Sequence, residues 1–172
     1  MPSRRETVTA VLEAHNEQNI DKILALHSDD CISEVLPSRL VTSSDLDALA
    51  DLIESLERAP MDNTAYRKMY ESITPSFRNY KMTVQDIFED EKANKVVAWI
   101  EATAETDVGP YATEKMLIFY FNEAGEVSRS LEFIDSAAGV AFFVKLQQYM
   151  ISKGAESEAK MNAFVEDGKA QQ

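Results

Sequence analysis

The stretch KVVAWIEATAET, residues Lys95–Thr106, has the alternating pattern of a β-strand, in which successive side chains point to opposite faces. The spacing of apolar residues changes from helical to alternating at Phe77. From there on, the pattern predicts four strands, at Phe77–Phe88, Lys95–Thr106, Thr113–Asn122 and Val127–Asp135. Because polar, turn-forming residues occupy the short links between these segments, we expect an antiparallel meander.

Helical spacing dominates the residues before this sheet. Ser3 and Glu6 have the spacing of a capping box, which opens a first helix with Val8, Val11 and Leu12 on one face. The other predicted elements are a short helix around Ile20–Leu26, a strand at Cys31–Leu36, helices at Asp45–Glu57 and Tyr66–Ile73, and a last helix at Ser136–Ser152. Helices and strands that are segregated along the chain favour an α+β fold. We assign residues 3–153 to a single domain and 154–172 to a polar tail.

Both faces of the predicted sheet carry apolar residues. Val96, Ala98 and Ile100 point to one face, and Val97 and Trp99 point to the other. One face packs against the N-terminal helices, around which the sheet curves. The other face also needs a cover, since a solvated face would alternate with charged residues. A second copy of the chain is the simplest cover, so we predict a homodimer; the alternative is that the last helix covers this face.

Charge and composition exclude several classes of partner. The 172 residues include 17 basic and 30 acidic side chains, a formal net charge of −13, which disfavours nucleic acids and anionic membranes. No stretch approaches the roughly 20 apolar residues that a membrane span needs, and the N-terminus does not resemble a signal peptide. Cys31 is the single cysteine, so no internal disulfide can form. We expect an intracellular, cytoplasmic protein.

Three segments of the chain resemble one group of proteins. They are PSRL at 37–40, TDVGPYATE at 106–114 and GEVSRSLEFIDS at 125–136. In these segments the chain is similar to the fungal SnoaL-like proteins of secondary-metabolite pathways, which belong to the NTF2-like superfamily. The resemblance covers about Glu6 to Tyr149 and implies a cone of N-terminal helices packed on a curved antiparallel sheet.

That group includes meroterpenoid isomerases and cyclases and a semipinacolase-type isomerase of indole alkaloids. The resemblance therefore implies an isomerase or cyclase that acts on a hydrophobic terpenoid, alkaloid or polyketide intermediate. The chain departs from the group at one position, because Lys115 stands where relatives often have a tyrosine. Any role that this tyrosine has in relatives is therefore not carried over.

The sequence contains no metal-binding motif and no phosphate-binding loop, so we expect neither a metal nor a cofactor. Acid–base chemistry by ordinary side chains remains. Glu132 is the first candidate, because burial in an apolar cavity would raise the pKa of a carboxyl group towards neutrality. Alternatively, Glu132 is a surface or salt-bridged residue. Asp135 is the second catalytic candidate, although its place before the last helix also suits a helix cap.

Two further residues are candidates for stabilising negative charge on a substrate oxygen. Arg39 follows the first strand, and its guanidinium can donate two hydrogen bonds to one oxygen group. Tyr111 follows Gly109-Pro110, where its hydroxyl can donate to an oxygen or protonate a leaving group. The alternatives are a surface ion pair for Arg39 and rim packing for Tyr111.

The remaining candidates line the expected cavity. Lys115 points inward if its face of the strand lines the cavity, where burial would lower its pKa and make it a base or an electrostatic donor; otherwise it is a surface residue. His15 on the first helix is either a core residue or a base near neutral pH. The predicted substrate-binding wall, which would equally serve as core, consists of Trp99, Tyr120, Phe119 and Met116.

The resemblance, together with these candidate residues, implies a cofactor-independent isomerase or cyclase. In the predicted mechanism, Glu132 or His15 moves a proton next to a carbonyl or alcohol, while Arg39 and Tyr111 stabilise the charge on the oxygen. Two alternatives remain open. One is a non-catalytic binding or dimerisation module, whose pocket can be apolar throughout; the other is a dehydratase in which His15 and Tyr111 act together.

Overall fold

A computed structural model describes residues 2–37, 60–135, 138–139, 141–146 and 148–154. The helices are α1 (Arg4–Asn16), α2 (Ile20–Leu24) and α3 (Asn63–Ile73), and a 3-10 turn follows at Thr74–Ser76. The strands are β1 (His27–Leu36), β2 (Arg78–Asp90), β3 (Lys95–Thr106), β4 (Gly109–Phe121) and β5 (Val127–Ile134). Further helical residues lie at 138–139, 141–146 and 148–154, here called the C-terminal helical segment. Arg39 and the predicted helix Asp45–Glu57 lie outside the described residues.

Short polar side chains fix where the helices begin. The capping box of α1 is confirmed: the Glu6 backbone N–H donates to the Ser3 hydroxyl, and the Glu6 carboxylate accepts from the Ser3 backbone. Of the two residues whose side chains suit a cap at this point, Asp62 and Asn63, it is Asp62 that caps α3 and accepts from the Ala65 backbone N–H at 2.7 Å. The α3 helix begins at Asn63, three residues before the predicted Tyr66, because Asp62 satisfies the backbone donors of the first turn.

The sheet has five strands in the order β1-β5-β4-β3-β2. The predicted antiparallel meander from β2 to β5 is confirmed. The pairing of β1 was not predicted: it lies parallel to β5, with Ile32 opposite Arg129 and Leu36 opposite Phe133. The sheet is therefore mixed, with helices packed on one face, and β1 begins at His27 rather than Cys31.

The hydrophobic core lies between α1 and the inner face of the sheet. Val8, Val11 and Leu12 of α1 are buried against Val96, Ala98 and Ile100 of β3. From β4, Leu117 and Phe119 point to the same side. Full burial of one such aliphatic or aromatic side chain contributes roughly 1.5–3 kcal/mol, so these contacts hold the helices on the sheet.

The side chain of Asn16, the last residue of α1, joins this helix to the middle of β2. Its amide accepts from the Met82 backbone N–H at 2.6 Å and donates to the Met82 carbonyl at 3.2 Å. Both backbone groups of Met82 are thus satisfied by one side chain, as they would be by a neighbouring strand.

Several large apolar side chains on the outer face of the sheet are exposed among the residues that the structure describes. Phe88, Trp99 and Phe133 are 53%, 40% and 49% exposed. The described part of the last helix packs on the inner side instead, where Phe142 contacts Phe77 and Tyr111. Among the described residues, no helix is both long and apolar enough to cross a membrane.

Candidate active site

A cavity opens between α1, α3 and the inner face of the sheet. It contains about 670 Å³ of empty space, including its mouth. Its wall is largely apolar, with Ile73, Phe77, Met82, Ile134 and Phe143 among the lining residues. Ionisable side chains from two helices and three strands also line it: His15 from α1, Tyr66 and Tyr70 from α3, Tyr80 from β2, Tyr111 and Lys115 from β4, and Glu132 from β5.

An ion pair forms the polar part of this cavity. Lys115 Nζ donates to Glu132 Oε1 at 2.6 Å. In the sheet register Glu132 lies opposite Leu117, two residues from Lys115, so the pair spans a diagonal between adjacent strands. The Lys115 side chain is 8% exposed and that of Glu132 is 31% exposed. Glu132 therefore faces the cavity, as predicted, but beside a buried cation rather than in apolar surroundings alone.

Lys115 is charged at neutral pH. Burial is the largest single influence and lowers the pKa of its amine, but the negative charge of Glu132, the neighbouring Tyr80 and Tyr111 and the hydrogen bond to Glu132 together outweigh it, so the pKa of Lys115 is raised overall. The expectation that burial makes Lys115 a base is therefore wrong. Lys115 lies on the inner face because it shares the parity of Leu117 and Phe119 on β4, and its ammonium group is held there by the carboxylate.

Three phenols line the same cavity as the ion pair: Tyr70 is buried, and Tyr66 and Tyr80 are half-buried. Burial raises the pKa of Tyr66 and of Tyr80, and the negative charge of Glu132 adds to the effect at both residues. Burial also raises the pKa of Tyr70 to about 12. These hydroxyl groups stay protonated at neutral pH, so each can donate a hydrogen bond to an oxygen in the cavity.

His15 is neutral in this environment. Burial lowers its pKa to about 4, although the charge of Glu132 opposes the change. Its ring lies 5.6 Å from the ring of Tyr70, measured between centroids. The expectation that His15 titrates near neutral pH is therefore wrong, although it does line the cavity.

A second pocket adjoins this cavity; the cavity is called here the first lobe and the adjoining pocket the second lobe. Both lobes are lined by His15, Tyr66 and Glu132, which stand where the lobes meet. The second lobe is also lined by Phe119, His27, Ser33 and Ser130. Ser130 donates to the Ser33 hydroxyl at 2.8 Å, and His27 Nδ1 lies 3.2 Å from Asn63 Oδ1. This lobe thus carries hydroxyl, imidazole and carboxylate residues, with Glu34 and Glu132 both among those that line it, whereas Lys115 lines only the first lobe.

Of the predicted site residues, the structure brings Glu132, Tyr111, Lys115, His15 and Phe119 to the two lobes. It places the others elsewhere, apart from Arg39, which lies outside the described residues. Asp135 is exposed and accepts from the Ala138 backbone N–H at 3.3 Å, so it acts as the cap that was its alternative role.

Three predicted wall residues lie on the outer face of the sheet. Trp99 and Met116 are paired in the register and share this face, and the Trp99 indole donates to Glu114 at 3.2 Å. The Tyr120 ring lies between Lys95, at 4.8 Å from the ring centroid, and Arg129, at 5.7 Å. The prediction that these residues line the cavity was wrong, because their side chains lie on the opposite face of the sheet. Both faces are apolar, so the sequence pattern does not tell which face is the inner one.

Three tyrosines of the cavity, Tyr66, Tyr70 and Tyr80, were not predicted from the sequence. Tyr66 and Tyr70 are four residues apart on α3 and so share one helix face. That spacing was a readable signal, whereas Tyr80 gave none, since its direction depends on the strand register. Within the described residues, no group of three His, Cys, Asp or Glu side chains is placed to hold a metal ion.

Comparison with known proteins identifies the class of protein to which this chain belongs. No family model matches the chain. Core atranone cluster protein 11 of Stachybotrys chlorohalonatus is 40% identical over 147 residues, which cover 86% of this chain and 98% of that protein. Monooxygenase AacuP of Aspergillus aculeatus is 28% identical, over 91% of this chain and 99% of that protein. Among solved structures, the BvnE pinacolase of Penicillium brevicompactum superposes with a TM-score of 0.68 at 23% identity, covering 86% of this chain and 96% of its own.

The mixed sheet, the helices on its inner face and the cavity between them define an NTF2-like cone fold. Within that class, the chain belongs to the SnoaL-like family of fungal secondary-metabolite cluster proteins. The family that the sequence resemblance indicated is thereby confirmed.

Proposed function

We propose that the protein is a cofactor-independent isomerase or cyclase that acts on a hydrophobic biosynthetic intermediate by acid–base catalysis. One observation carries this proposal: a Lys115–Glu132 ion pair, with N and O 2.6 Å apart, faces a largely apolar cavity. A carboxylate and an ammonium group at one point supply a proton acceptor and an electrostatic stabiliser together. The relative named a pinacolase is consistent with a rearrangement.

In the proposed mechanism, the Glu132 carboxylate removes a proton from a carbon next to a carbonyl group. The electron pair of the broken C–H bond moves towards the carbonyl oxygen, where Lys115 stabilises the negative charge with help from the Tyr111 hydroxyl. Glu132 then returns the proton at a different atom, so the product has the same composition as the substrate. Arg39 stays a prediction for the same stabilising role.

A mass-neutral conversion tests this proposal. Purified protein is added, without cofactor, to extract from a strain of its fungal host that lacks the gene and accumulates the unprocessed intermediate. The expected product has an unchanged mass and a new chromatographic retention time, and Glu132→Gln forms it far more slowly. If the protein converts no compound in the extract, the proposal fails and a non-catalytic binding module describes the protein better.

A second candidate activity is monooxygenation, which the name of the 28% identical relative AacuP favours. The same assay separates the two activities, because a monooxygenase product is heavier by one oxygen atom. An added oxygen would contradict the isomerase proposal and would favour this one.

A further inference from the structure

The outer face of the sheet sorts its side chains by charge along the strands. Lys95 lies opposite Tyr120 in the register, and Tyr120 lies opposite Arg129, so these residues form a basic row across the sheet. Further along the strands, Glu101 lies opposite Glu114, and the two form an acidic row. The two rows between them are apolar: one holds Val97, Ile118 and Phe88, and the other holds Trp99, Met116 and Phe133.

The acidic row lacks a cation within one chain. Glu101 and Glu114 are both exposed and stand directly opposite each other on adjacent strands, where like charges repel. Among the described residues, neither carboxylate takes part in an ion pair, although the Trp99 indole donates to Glu114 at 3.2 Å. A cation placed above this row would therefore relieve a repulsion that a single copy cannot relieve.

The basic row has one charge to offer. The Lys95 ammonium lies 4.8 Å from the centroid of the Tyr120 ring and forms no ion pair within the described parts of the chain. Asp90 is opposite Lys95 in the register, but its carboxylate accepts a backbone N–H of the turn between β2 and β3. Arg129 is already paired with Glu34. Lys95 and the acidic row thus carry opposite charges at the two ends of one apolar strip.

We propose that two copies of the chain pack through this face with their strands antiparallel, so that Lys95 of each copy lies opposite Glu101 of the other. Sheets that pack face to face by a two-fold axis in their interface have two limiting arrangements. With the axis along the strands, each row faces its own kind and the acidic rows repel. With the axis across the strands at the level of Ala98, midway between Lys95 and Glu101, the basic row of each copy faces the acidic row of the other.

Charge selects the second arrangement, because it replaces repulsion with attraction at both ends of the strip. In that arrangement the row of Trp99, Met116 and Phe133 also faces the row of Val97, Ile118 and Phe88. The inference goes beyond the predicted homodimer by fixing how one copy is turned relative to the other. It does not depend on the proposed function.

The strip is large enough for such an interface. Five strands about 4.8 Å apart give a width of about 24 Å, and the rise of about 3.3 Å per residue puts the charged rows about 20 Å apart. Packing would bury roughly 500 Å² of each copy, or about 1,000 Å² together, which is the lower limit for a specific interface. We therefore assign the affinity to the apolar rows and the orientation to the charged rows.

Complementary charge reversals test the arrangement by sedimentation equilibrium. Lys95→Glu places two carboxylates at each of the two symmetric contacts, and Glu101→Lys places two cations there. Each variant alone should therefore dimerise about 10- to 100-fold more weakly than the wild type. When the two variants are mixed, both contacts of the mixed dimer again join opposite charges, so its affinity should return to that of the wild type.

Matched controls come from the exposed Glu17–Lys22 pair, which lies outside the sheet. Glu17→Lys and Lys22→Glu should dimerise as the wild type does, alone or mixed. If the circular dichroism spectrum shows that Lys95→Glu does not fold, Lys95→Gln takes its place. It should bind Glu101→Lys more tightly than either variant binds itself.

Three results would overturn the inference. A wild type that is monomeric at every concentration reached would contradict the dimer itself. Lys95→Glu that dimerises as tightly as the wild type, or mixed variants that associate no better than each alone, would reject the antiparallel orientation. Each of these results leaves the mass-neutral conversion untouched, so the proposed function is tested separately.

Discussion

The ion pair of the cavity predicts that its two members differ in their effect on stability. Glu132→Leu leaves the Lys115 ammonium, in a side chain that is 8% exposed, without its carboxylate. Breaking a buried pair costs about 3–5 kcal/mol, and the partial exposure of Glu132 favours the lower end, about 3 kcal/mol. Lys115→Met leaves a carboxylate that is 31% exposed and can be hydrated through the mouth, so we expect a cost of about 1 kcal/mol.

The double variant Lys115→Met/Glu132→Leu removes both charges, so neither charge is then desolvated. Its free energy of unfolding should therefore lie within about 1 kcal/mol of the wild-type value or exceed it. Urea denaturation followed by circular dichroism gives the free energy of unfolding for all four proteins. For Glu132→Leu the expected decrease in Tm is roughly 6–12 °C. The reasoning would be refuted if the two single variants lost equal amounts of unfolding free energy, or if the loss in the double variant equalled the sum of the two. Either result would show that the side chains do not form this buried pair.

Three further predictions concern activity, pH and assembly. Glu132→Gln should lower turnover by about 10²–10⁴-fold, the usual contribution of a general acid or base, while its circular dichroism spectrum matches the wild type; unchanged turnover would remove Glu132 from the mechanism. Burial lowers the His15 pKa from 6.5 to about 4, so the wild type should lose up to about 3 kcal/mol of stability as pH falls through this range. Urea unfolding of the wild type and of His15→Asn at pH 4 and 7 should show a smaller loss in the variant. Light scattering should find a homodimer that Trp99→Glu with Phe133→Glu converts to monomers; a monomeric wild type would contradict the predicted dimer.

Local patterns were sufficient to predict most of the elements. The β3 strand has the predicted bounds, Lys95–Thr106, and the capping box of α1 was readable from Ser3 and Glu6. The pairing of β1 with β5 was not readable, since it joins Ile32 to Arg129, far apart in the sequence, and no local period encodes such a partner.

The site was predicted only in part, for a related reason. Strand parity correctly grouped Lys115 with Leu117 and Phe119, but both faces of the sheet are apolar, so parity alone also allowed Trp99 and Met116 to face the cavity. The charge state of Lys115 depends on Glu132, which lies on the next strand at a diagonal position. That neighbour is known only once the register is known.

The parallel pairing of β1 with β5 has a consequence for synthesis on the ribosome. The β1 strand leaves the ribosome early, but its partner residues Arg129–Phe133 are translated only after the whole β2–β4 meander. Until then the hydrogen-bonding edge of β1 has no sheet to join, and exposed strand edges of this kind promote association between nascent chains. The sheet can therefore be completed only after β5 has left the ribosome.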